Sequence, residues 1–399
     1  MKEMDFALTE DQELLKNSIK DFAERVISKN LEKMISSRRI PDEIFSEFRR
    51  MNLFGVSVPQ KFGGMGASPV DMGIIGEEIG RADPTASISV LYLVHNSWSY
   101  LISRYGTELL KASTLPKIAS GDLITGIATT EPSCGSDIAS IKTTATKKGN
   151  SYIINGEKSF ISLAFDINER GGGFVTSAKT DPSKGASGIS LFYVPYSDRI
   201  EISKLEEMGR EGSTWGALRF NDVEIPSEYL LGEVNRGFNI IHEGFELARS
   251  IIAVVSAAMA LRALDDGMDY IKERKAFGTT IGKFQGIQFQ LAEDVAKMEA
   301  ALTMGYRALW MYGEEQQERR FNRFQVTKEV AVAKLLSTVW AFDAINDSLQ
   351  WHGAYGYSKN NMQEIALRAV RSFQLAEGSR EVMKMIIARE SLGHEYYRK

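Results

Sequence analysis

The sequence predicts an α+β protein, mainly α, in which a β domain separates two helical domains. Three observations support this fold class. Apolar residues recur at helical spacing up to about residue 122, short strands with turn signals follow, and long helical stripes fill the rest of the chain. With 399 residues, the chain is too long for one ordinary core. We therefore expect an N-terminal helical domain (1–122), a middle antiparallel β-barrel or sandwich domain (123–236) and a C-terminal helical bundle domain (237–399).

The first domain begins with an amphipathic helix. Thr9 precedes the segment "EDQELLKNSIKDFAERVI", whose acidic first turn suits the helix dipole. The apolar positions with helical spacing are Leu14, Leu15, Ile19, Phe22 and Val26. The loop "VPQKFGGMGASP" then precedes a second helical stretch, "VDMGIIGEEIGRAD". Its glycines lack the third glycine of a dinucleotide-binding loop, so we interpret them as a turn.

The middle domain shows strand and turn signals. The segment "KTTATKKGNSYIINGEKSFIS" alternates in polarity and contains two turn dipeptides, Gly149-Asn150 and Asn155-Gly156. The segments "GISLFYVP" and "ALRFNDVEIP" predict short strands that end at prolines. Regularly spaced short strands favour a small antiparallel barrel or sandwich.

Two apolar stripes at helical spacing predict antiparallel helices in the last domain. The first stripe consists of Ile287, Leu291, Val295, Met298, Leu302 and Leu309, and the second of Val332, Leu335, Val339, Phe342 and Leu349. The charge-rich segment "GEEQQERRFNRFQ" between them is expected to be solvated surface.

The composition excludes several classes of protein. The chain is 43% apolar and 25% charged, with a net charge of −4 and no basic block, so nucleic acid is not an expected partner. The single cysteine, Cys134, excludes an internal disulfide framework and fits a reducing compartment. The four histidines have no ligand spacing, so no metal site is expected. The N-terminus does not resemble a signal peptide and no apolar stretch approaches a bilayer-spanning length, so we expect no membrane insertion and a cytoplasmic location.

The segment "GIATTEPSCGSDIASIKTTA" suggests a strand from Gly126 to Thr129 that runs into a turn. Its composition alone fits an ordinary hydroxyl-rich loop. Alternatively, amides and hydroxyls at a strand end bind a polar ring edge or a phosphate.

Five segments together resemble the acyl-CoA dehydrogenases: "TTEPSCGSD", "GEKSFIS", "ERKAFGTTIGKFQGIQ", "QWHGAYGY" and "AEGSREVMKMIIARE". They follow the order and spacing of that family over essentially the whole chain. The resemblance implies an FAD-dependent enzyme of fatty acid metabolism and beta-oxidation, with a four-helix bundle as its C-terminal domain. It also implies an acyl-CoA substrate, an electron-transferring flavoprotein as partner, and a homotetramer built as a dimer of dimers.

The resemblance assigns the flavin contacts to two segments. Thr129 and Thr130 would contact the polar edge of the flavin, and Phe160, followed by Ile161, would stack on its face. Ser162 would donate a hydrogen bond to the ring nitrogen that receives hydride. Ser136 would lie near the CoA moiety or the cofactor phosphates.

A second group would reach the FAD of a neighbouring subunit. Arg274 suits the diphosphate because its guanidinium fork pairs with phosphate oxygens. The loop from Gln350 to Ala354 would bind the adenylate part through its backbone, while His352 is expected to pack. The complete set that the resemblance assigns to FAD is Thr129, Thr130, Ser136, Phe160, Ile161, Ser162, Arg274, Phe277, Gln285, Gln350, Trp351, Gly353, Ala354, Ser379 and Glu381.

Glu377 is the predicted catalytic base. It lies between Ala376 and Gly378, where an apolar run ends and a helix begins, and it matches the family's usual base position. The residues assigned to the substrate are Ser136, Glu246, Arg249 and Gly378. Some family members carry their base immediately before the arginine that matches Arg249, but that position is Ala248 here.

Three departures from the family pattern stand beside these motifs. Ala376 replaces a bulkier residue, Ala369 stands where an aspartate is typical, and "LAFDINERGGG" replaces the usual loop after the flavin-stacking motif. None of them removes a group that the chemistry needs.

Three alternatives to the dehydrogenase remain. An acyl-CoA oxidase of this fold is usually much longer than 399 residues. A flavin monooxygenase of this fold has no need of Glu377. A non-catalytic helical scaffold would carry no flavin.

Overall fold

The predicted fold class is confirmed by the computed structural model, which describes residues 7–317 and 320–396. A mixed sheet lies between an N-terminal and a C-terminal set of helices. The helices are α1 Glu10–Phe22, α2 Ser28–Ser37, α3 Asp42–Arg50, α4 Pro69–Ala82, α5 Ser87–Tyr105, α6 Glu108–Ala119, α7 Ala164–Arg170, α8 Gly237–Glu273, α9 Gln285–Gln316, α10 Arg323–Trp351, α11 Met362–Phe373 and α12 Arg380–Leu392. The strands are β1 Ile124–Ala128, β2 Thr144–Lys148, β3 Ser151–Ser162, β4 Gly172–Lys179, β5 Ile189–Pro195, β6 Ile200–Lys204, β7 Trp215–Pro226, β8 Leu230–Leu231, β9 Lys275–Ala276 and β10 Thr279–Thr280.

The N-terminal helix starts where its capping signal predicts. The Thr9 side chain accepts a hydrogen bond from the Gln12 amide, and the Gln12 side chain accepts one from the Thr9 amide. This reciprocal pair satisfies two amides that lack partners within the helix. A π-helical segment, Ala23–Ile27, joins α1 to α2.

Helix α5 anchors the first strand through a buried histidine. The Thr125 amide of β1 donates to His95 Nδ1 at 3.1 Å, so the proton lies on Nε2, which donates to the Phe54 carbonyl at 3.0 Å. Burial lowers the pKa of His95 to about 4, which keeps the ring neutral. His95 is therefore a structural residue that fixes β1 against the helical domain.

The middle sheet runs in the order β6-β7-β3-β2-β4-β5-β8, with β1 paired to β4. Most neighbours are antiparallel, as expected, but β1 pairs in parallel with β4, and β2 meets β4 in parallel at one position. The turn at Gly149-Asn150 is confirmed. The turn predicted at Asn155-Gly156 is wrong, because this dipeptide lies inside β3 at an irregularity in its pairing with β7. The Asn155 side chain bridges to Asp222 on β7, with both bonds at 2.9 Å.

The C-terminal helices pack around α8, which is buried over most of its length. An 18-residue window of α8 is apolar enough to cross a membrane by length and composition, but 89% of that window is buried inside the protein. The sequence prediction that no segment approaches that length overlooked this helix. Its burial makes it a core helix.

Much of the buried face of α10 consists of small residues, and this face differs from the predicted stripe. Ala333, Ser337, Ala341, Ala344 and Ser348 are buried, whereas the large side chains of the predicted stripe are only partly buried. Close packing against α8 explains this. A Cβ added at Gly267 of α8 would lie 2.5 Å from the Ser348 hydroxyl oxygen. In α9, the predicted stripe includes the buried Met298 and Leu309.

Candidate active site

Glu377 lies in a turn between α11 and α12. Its φ of 57° and the φ of 108° at Gly378 place two consecutive residues in conformations that glycine tolerates best. The Ser379 side chain caps α12 by accepting a hydrogen bond from the Val382 amide at 3.4 Å. Glu377 therefore stands just before a helix start, as the sequence predicts, in a backbone conformation that costs free energy for a non-glycine residue.

The carboxyl group of Glu377 is desolvated. The residue as a whole is half-buried, but its Oε2 atom is inaccessible to solvent and has no hydrogen-bond partner within residues 7–317 and 320–396. Burial raises the pKa of Glu377 to about 7, and the nearby charges of Arg249 and Lys334 offset part of that effect. A carboxyl group with a pKa near neutrality is suited to take a proton from a weak acid.

Two buried cations hold the backbone of this turn. Arg249 of α8 donates from Nε to the Glu377 carbonyl oxygen at 2.6 Å. Lys334 of α10 donates from Nζ to the Gly378 carbonyl oxygen at 2.5 Å. Arg249, which the resemblance assigns to the substrate, thus contacts the residue that is predicted to be the base. Lys334 was not predicted, because a lysine in the segment "VAVAKLLSTV" ordinarily extends its ammonium to solvent.

Glu246 has its own partners inside the bundle. It is 2% exposed, accepts a hydrogen bond from the Thr327 hydroxyl at 2.5 Å, and lies 3.1 Å from Arg323. Burial raises its pKa, and the charge of Arg323 opposes that shift. The neighbouring position before Arg249 is the buried Ala248, which carries no base.

The residues predicted to face the flavin edge lie where β1 ends. The Thr129 hydroxyl oxygen is buried and has no partner in the described part of the chain. The Thr130 carbonyl accepts a hydrogen bond from the Ser159 amide at 2.9 Å, which joins this loop to β3 next to Phe160. Ser136, farther along the loop, is exposed.

The end of β3 presents one aromatic face and one hydroxyl. Phe160 has a φ of 62°, is 52% exposed, and its ring centroid lies 5.2 Å from that of Trp215. Ser162 accepts a hydrogen bond from Arg210 at 3.3 Å. The side chain of Ile161 is buried in the core. The exposed ring and the hydroxyl thus both lie at the end of β3, in the segment that the resemblance assigns to the flavin.

A buried ion pair, which was not predicted, stabilises the loop that follows β1. Glu131 is 4% exposed and Lys158 is fully buried; Lys158 Nζ lies 3.0 Å from Glu131 Oε1 and 3.0 Å from the Thr129 carbonyl oxygen. Glu131 also accepts hydrogen bonds from the amides of Lys142 and Thr143. Burial would raise the pKa of Glu131, but Lys158 and these hydrogen bonds outweigh it and hold the pKa below its usual value. Lys158 therefore fixes the strand end that carries Thr129.

The residues predicted to reach a neighbour's FAD lie at or just after the C-terminal ends of α8 and α10, except Gln285, which begins α9. The Tyr270 and His352 ring centroids are 4.3 Å apart, so these two helix ends meet. Most of the predicted residues there are exposed: Arg274, Phe277, Gln285, Gln350, Gly353 and Ala354. Trp351 is the exception, because its ring is buried and its Nε1 donates to Gln290 at 2.9 Å. His352 packs in the bundle, as expected.

Comparisons with known proteins match every part of this architecture. The N-terminal, middle and C-terminal domains of acyl-CoA dehydrogenase match residues 9–122, 126–223 and 235–392. A probable acyl-CoA dehydrogenase of Bacillus subtilis is 33% identical over 98% of this chain and 100% of its own length. The chain belongs to the acyl-CoA dehydrogenase family. It is therefore an oxidoreductase.

A reductase subunit and a structure solved with FAD are also similar to this chain. The CarC subunit of a caffeyl-CoA reductase–Etf complex from Acetobacterium woodii is 34% identical over 95% of this chain and 98% of its own length. A solved structure of PigA with FAD and proline shares 26% identity, with a TM-score of 0.90 over 97% of this chain and 99% of that chain.

Acyl-CoA dehydrogenases bind FAD, and the residues of this family member fit that cofactor. The buried Thr129 hydroxyl would supply a polar contact, the exposed Phe160 ring would supply a face for stacking, and Ser162 would supply a hydrogen-bond donor. At Gly353, whose φ is 59°, an added Cβ would meet no atom within 4 Å, so the backbone there is open to a ligand. Among the described residues, no group of three His, Cys, Asp or Glu side chains is placed to hold a metal ion.

Proposed function

We propose that this family member oxidises an acyl-CoA thioester to the trans-2-enoyl-CoA, with Glu377 as the base that removes the α-proton. FAD, when bound, accepts the β-hydrogen as hydride. The observation that carries the proposal is the buried Oε2 atom of Glu377, which has no hydrogen-bond partner among the described residues. A carboxylate oxygen that accepts no hydrogen bond from the protein is available to accept the α-proton of the thioester.

The electrostatics of the turn suit this reaction. As the α-proton leaves, negative charge develops on the thioester carbonyl oxygen, and catalysis requires groups that stabilise it. The backbone amide of Glu377 and the cofactor are the proposed donors. The proposed contacts for the substrate remain Ser136, Glu246, Arg249 and Gly378. Among them, Glu246 is expected to contact the CoA moiety.

The pH dependence of flavin reduction should report the pKa of Glu377. Only the ionised carboxylate acts as a base, so we expect the reduction rate to rise with pH through about 7 and then to level off. The same shift predicts that Glu377 reduces the free energy of unfolding as pH rises from 4.5, the ordinary value, to about 7, because only the native state resists ionisation. Anaerobic stopped-flow absorbance across that pH range tests the first expectation. A rate independent of pH between 5.5 and 8.5 (roughly one and a half units either side of the pKa) would contradict it.

We further propose that electrons leave through an electron-transferring flavoprotein in the cytoplasm, as part of fatty acid beta-oxidation, and that the enzyme is a homotetramer formed as a dimer of dimers. The name of the CarC relative, a subunit of a reductase–Etf complex, supports the first part. The exposure of Arg274, Phe277, Gln285 and Gln350 supports a site that is shared with another subunit.

Replacing Arg274 by Ala should weaken FAD retention without unfolding the bundle. Its side chain is exposed at the C-terminal end of α8, so its removal takes away a phosphate partner and no core contact. FAD content after gel filtration, compared with the thermal midpoint of the apoprotein, measures the two effects separately. Arg262→Ala, on the exposed part of α8, is the matched control. A tightly flavinated monomer would contradict both this prediction and the shared site.

The substrate is expected to be a short, medium or branched acyl-CoA. Trp98 of α5 is fully buried and packs edge-on against Phe245 at 5.3 Å, where a bulky side chain would shorten an acyl tunnel. Ala376 leaves room beside the base. Anaerobic mixing with a panel of thioesters, followed by flavin bleaching, tests this expectation and the proposed reaction together. A clear preference for palmitoyl-CoA would rule it out.

A reductase acting on an enoyl-CoA is the second candidate, and the CarC relative favours it. The same base would then return a proton to the α-carbon. Mixing the reduced enzyme with crotonyl-CoA and the oxidised enzyme with butyryl-CoA compares the two directions. Rapid reoxidation by crotonyl-CoA, together with no bleaching by any saturated thioester, would favour the reductase.

A further inference from the structure

Lys334 is a buried cation that the proposed reaction does not yet use. It is a buried residue of α10, and the described residues give it no ion pair with a carboxylate within 4.0 Å. Its Nζ instead donates to the Gly378 carbonyl oxygen at 2.5 Å. Burying an ammonium group costs free energy, so a buried lysine that bonds only to a backbone carbonyl suggests a role for that hydrogen bond.

Two cations on different helices donate hydrogen bonds to two consecutive backbone carbonyls of this turn. Arg249 of α8 binds the carbonyl of Glu377, and Lys334 of α10 binds that of Gly378. Glu377 and Gly378, which supply these carbonyls, both have positive φ. An added Cβ at Gly378 would lie 3.3 Å from Arg249 Nη2. The turn is thus a strained conformation that hydrogen bonds from charged donors hold in place.

The same arrangement leaves the carboxylate free. Cations this close to a glutamate ordinarily form a salt bridge with it, and a bonded carboxylate is a weaker base. Here the hydrogen bonds go to backbone carbonyls, and the Oε2 atom of Glu377 keeps no partner in the described chain. The charges still act on Glu377 through space, because both cations oppose the effect of burial on its pKa.

We propose that Lys334 is a positioning residue for the base: with Arg249 it holds the Glu377–Gly378 turn so that the carboxylate stays unbonded and aimed at the substrate. This inference rests on the proposed function, in which Glu377 is the base. The charged groups that face Lys334 are Arg249, Glu377 and Glu381, and burial together with Arg249 lowers the pKa of Lys334 to about 7.

The test compares Lys334→Met, which removes the donor and the charge, with Lys334→Arg, which keeps both. In the FAD-loaded full chain, we expect the Met variant to reduce its flavin about 10- to 100-fold more slowly at saturating butyryl-CoA, because small misplacements of a catalytic group are costly. The apparent KM should change little, and the pH midpoint of reduction should move upward, because a positive neighbour of the carboxylate is lost. The Arg variant should recover most of the rate.

Hydrogen–deuterium exchange of peptides covering residues 376–383 gives a readout that does not depend on which group is the base. Exchange should be faster by about tenfold in the Met variant, since a charge-assisted hydrogen bond to the turn is lost. Lys334→Gln, which retains a neutral donor, replaces the Met variant if the latter does not fold; it should show the same upward shift of the pH midpoint.

Three outcomes separate this inference from the proposed function. A Met variant with unchanged exchange, saturating rate and pH midpoint overturns the role of Lys334, even if its melting temperature falls. A reduced rate in Glu377→Gln with a normal rate in Lys334→Met also overturns it, while the base assignment stands. A normal rate in Glu377→Gln overturns the proposed function, and the exchange measurement then decides alone whether Lys334 holds the turn.

Discussion

Replacing Glu377 by Gln should lower the rate of flavin reduction by an acyl-CoA by roughly 10²–10⁴-fold, the usual cost of losing a positioned general base. The carboxamide keeps the shape of the side chain but cannot accept the α-proton. FAD and acyl-CoA should still bind, because the cations contact the backbone of this turn and its carbonyls remain in place. Anaerobic stopped-flow mixing with butyryl-CoA measures the rate, and the flavin spectrum measures cofactor content.

Two other carboxylates serve as comparisons for this variant. Glu108→Gln changes an exposed carboxylate in the first turn of α6 and should reduce its flavin at the wild-type rate. Glu246→Gln should raise the apparent KM with reduction largely intact. If the Glu377 variant bleached its flavin at nearly the wild-type rate while the Glu246 variant did not, Glu246 would replace Glu377 as the proposed base.

Replacing Lys158 by Met should reduce the free energy of unfolding by about 3–5 kcal/mol, since removing one partner of a buried pair leaves an uncompensated charge. Glu131 would remain buried and would keep only its hydrogen bonds to Lys142 and Thr143. The Thr129 carbonyl would also lose its donor, so FAD retention should fall with stability. Urea unfolding of the apoprotein gives the free energy, and flavin content after dialysis gives the second effect.

A surface pair that includes the neighbour of Lys158 on β3 is the control for this variant. Arg219 of β7 pairs with Glu157 of β3 at 2.8 Å, and both side chains are at least half exposed. Arg219→Met should change the free energy of unfolding by roughly 0–1 kcal/mol, as is usual for exposed pairs. Equal losses in the two variants would mean that burial of the Glu131–Lys158 pair does not determine its contribution.

Local signals in the sequence were enough to predict much of the fold. The helix at Thr9 and the turn at Gly149-Asn150 follow from capping and turn chemistry, which act over a few residues. The dipeptide Asn155-Gly156 carries the same signal but lies within a strand, because Asn155 bonds to Asp222 on the partner strand. Tertiary pairing overrides a local preference there, and no local pattern shows it.

The candidate site was predicted through its motifs, and its supporting charges were not. Glu377 and Thr129 belong to recognisable segments, and each has a buried oxygen atom without a hydrogen-bond partner in residues 7–317 and 320–396. Lys158 and Lys334 lie in an alternating strand and an apolar helix, where a lysine ordinarily reaches solvent. Their burial follows from tertiary contacts, because Lys158 bonds to the Thr129 carbonyl and Lys334 to the Gly378 carbonyl.

The most direct test of the proposed function is a single-turnover reaction of the FAD-loaded enzyme with butyryl-CoA under anaerobic conditions. Flavin absorbance measures the reduction of the cofactor, and mass spectrometry measures the loss of two hydrogens from the thioester. We expect the flavin to bleach while the thioester loses two hydrogens to become the 2-enoyl-CoA, and both changes should slow together in the Glu377→Gln variant. A flavin that stays oxidised with butyryl-CoA and with every other thioester of the panel would contradict this expectation.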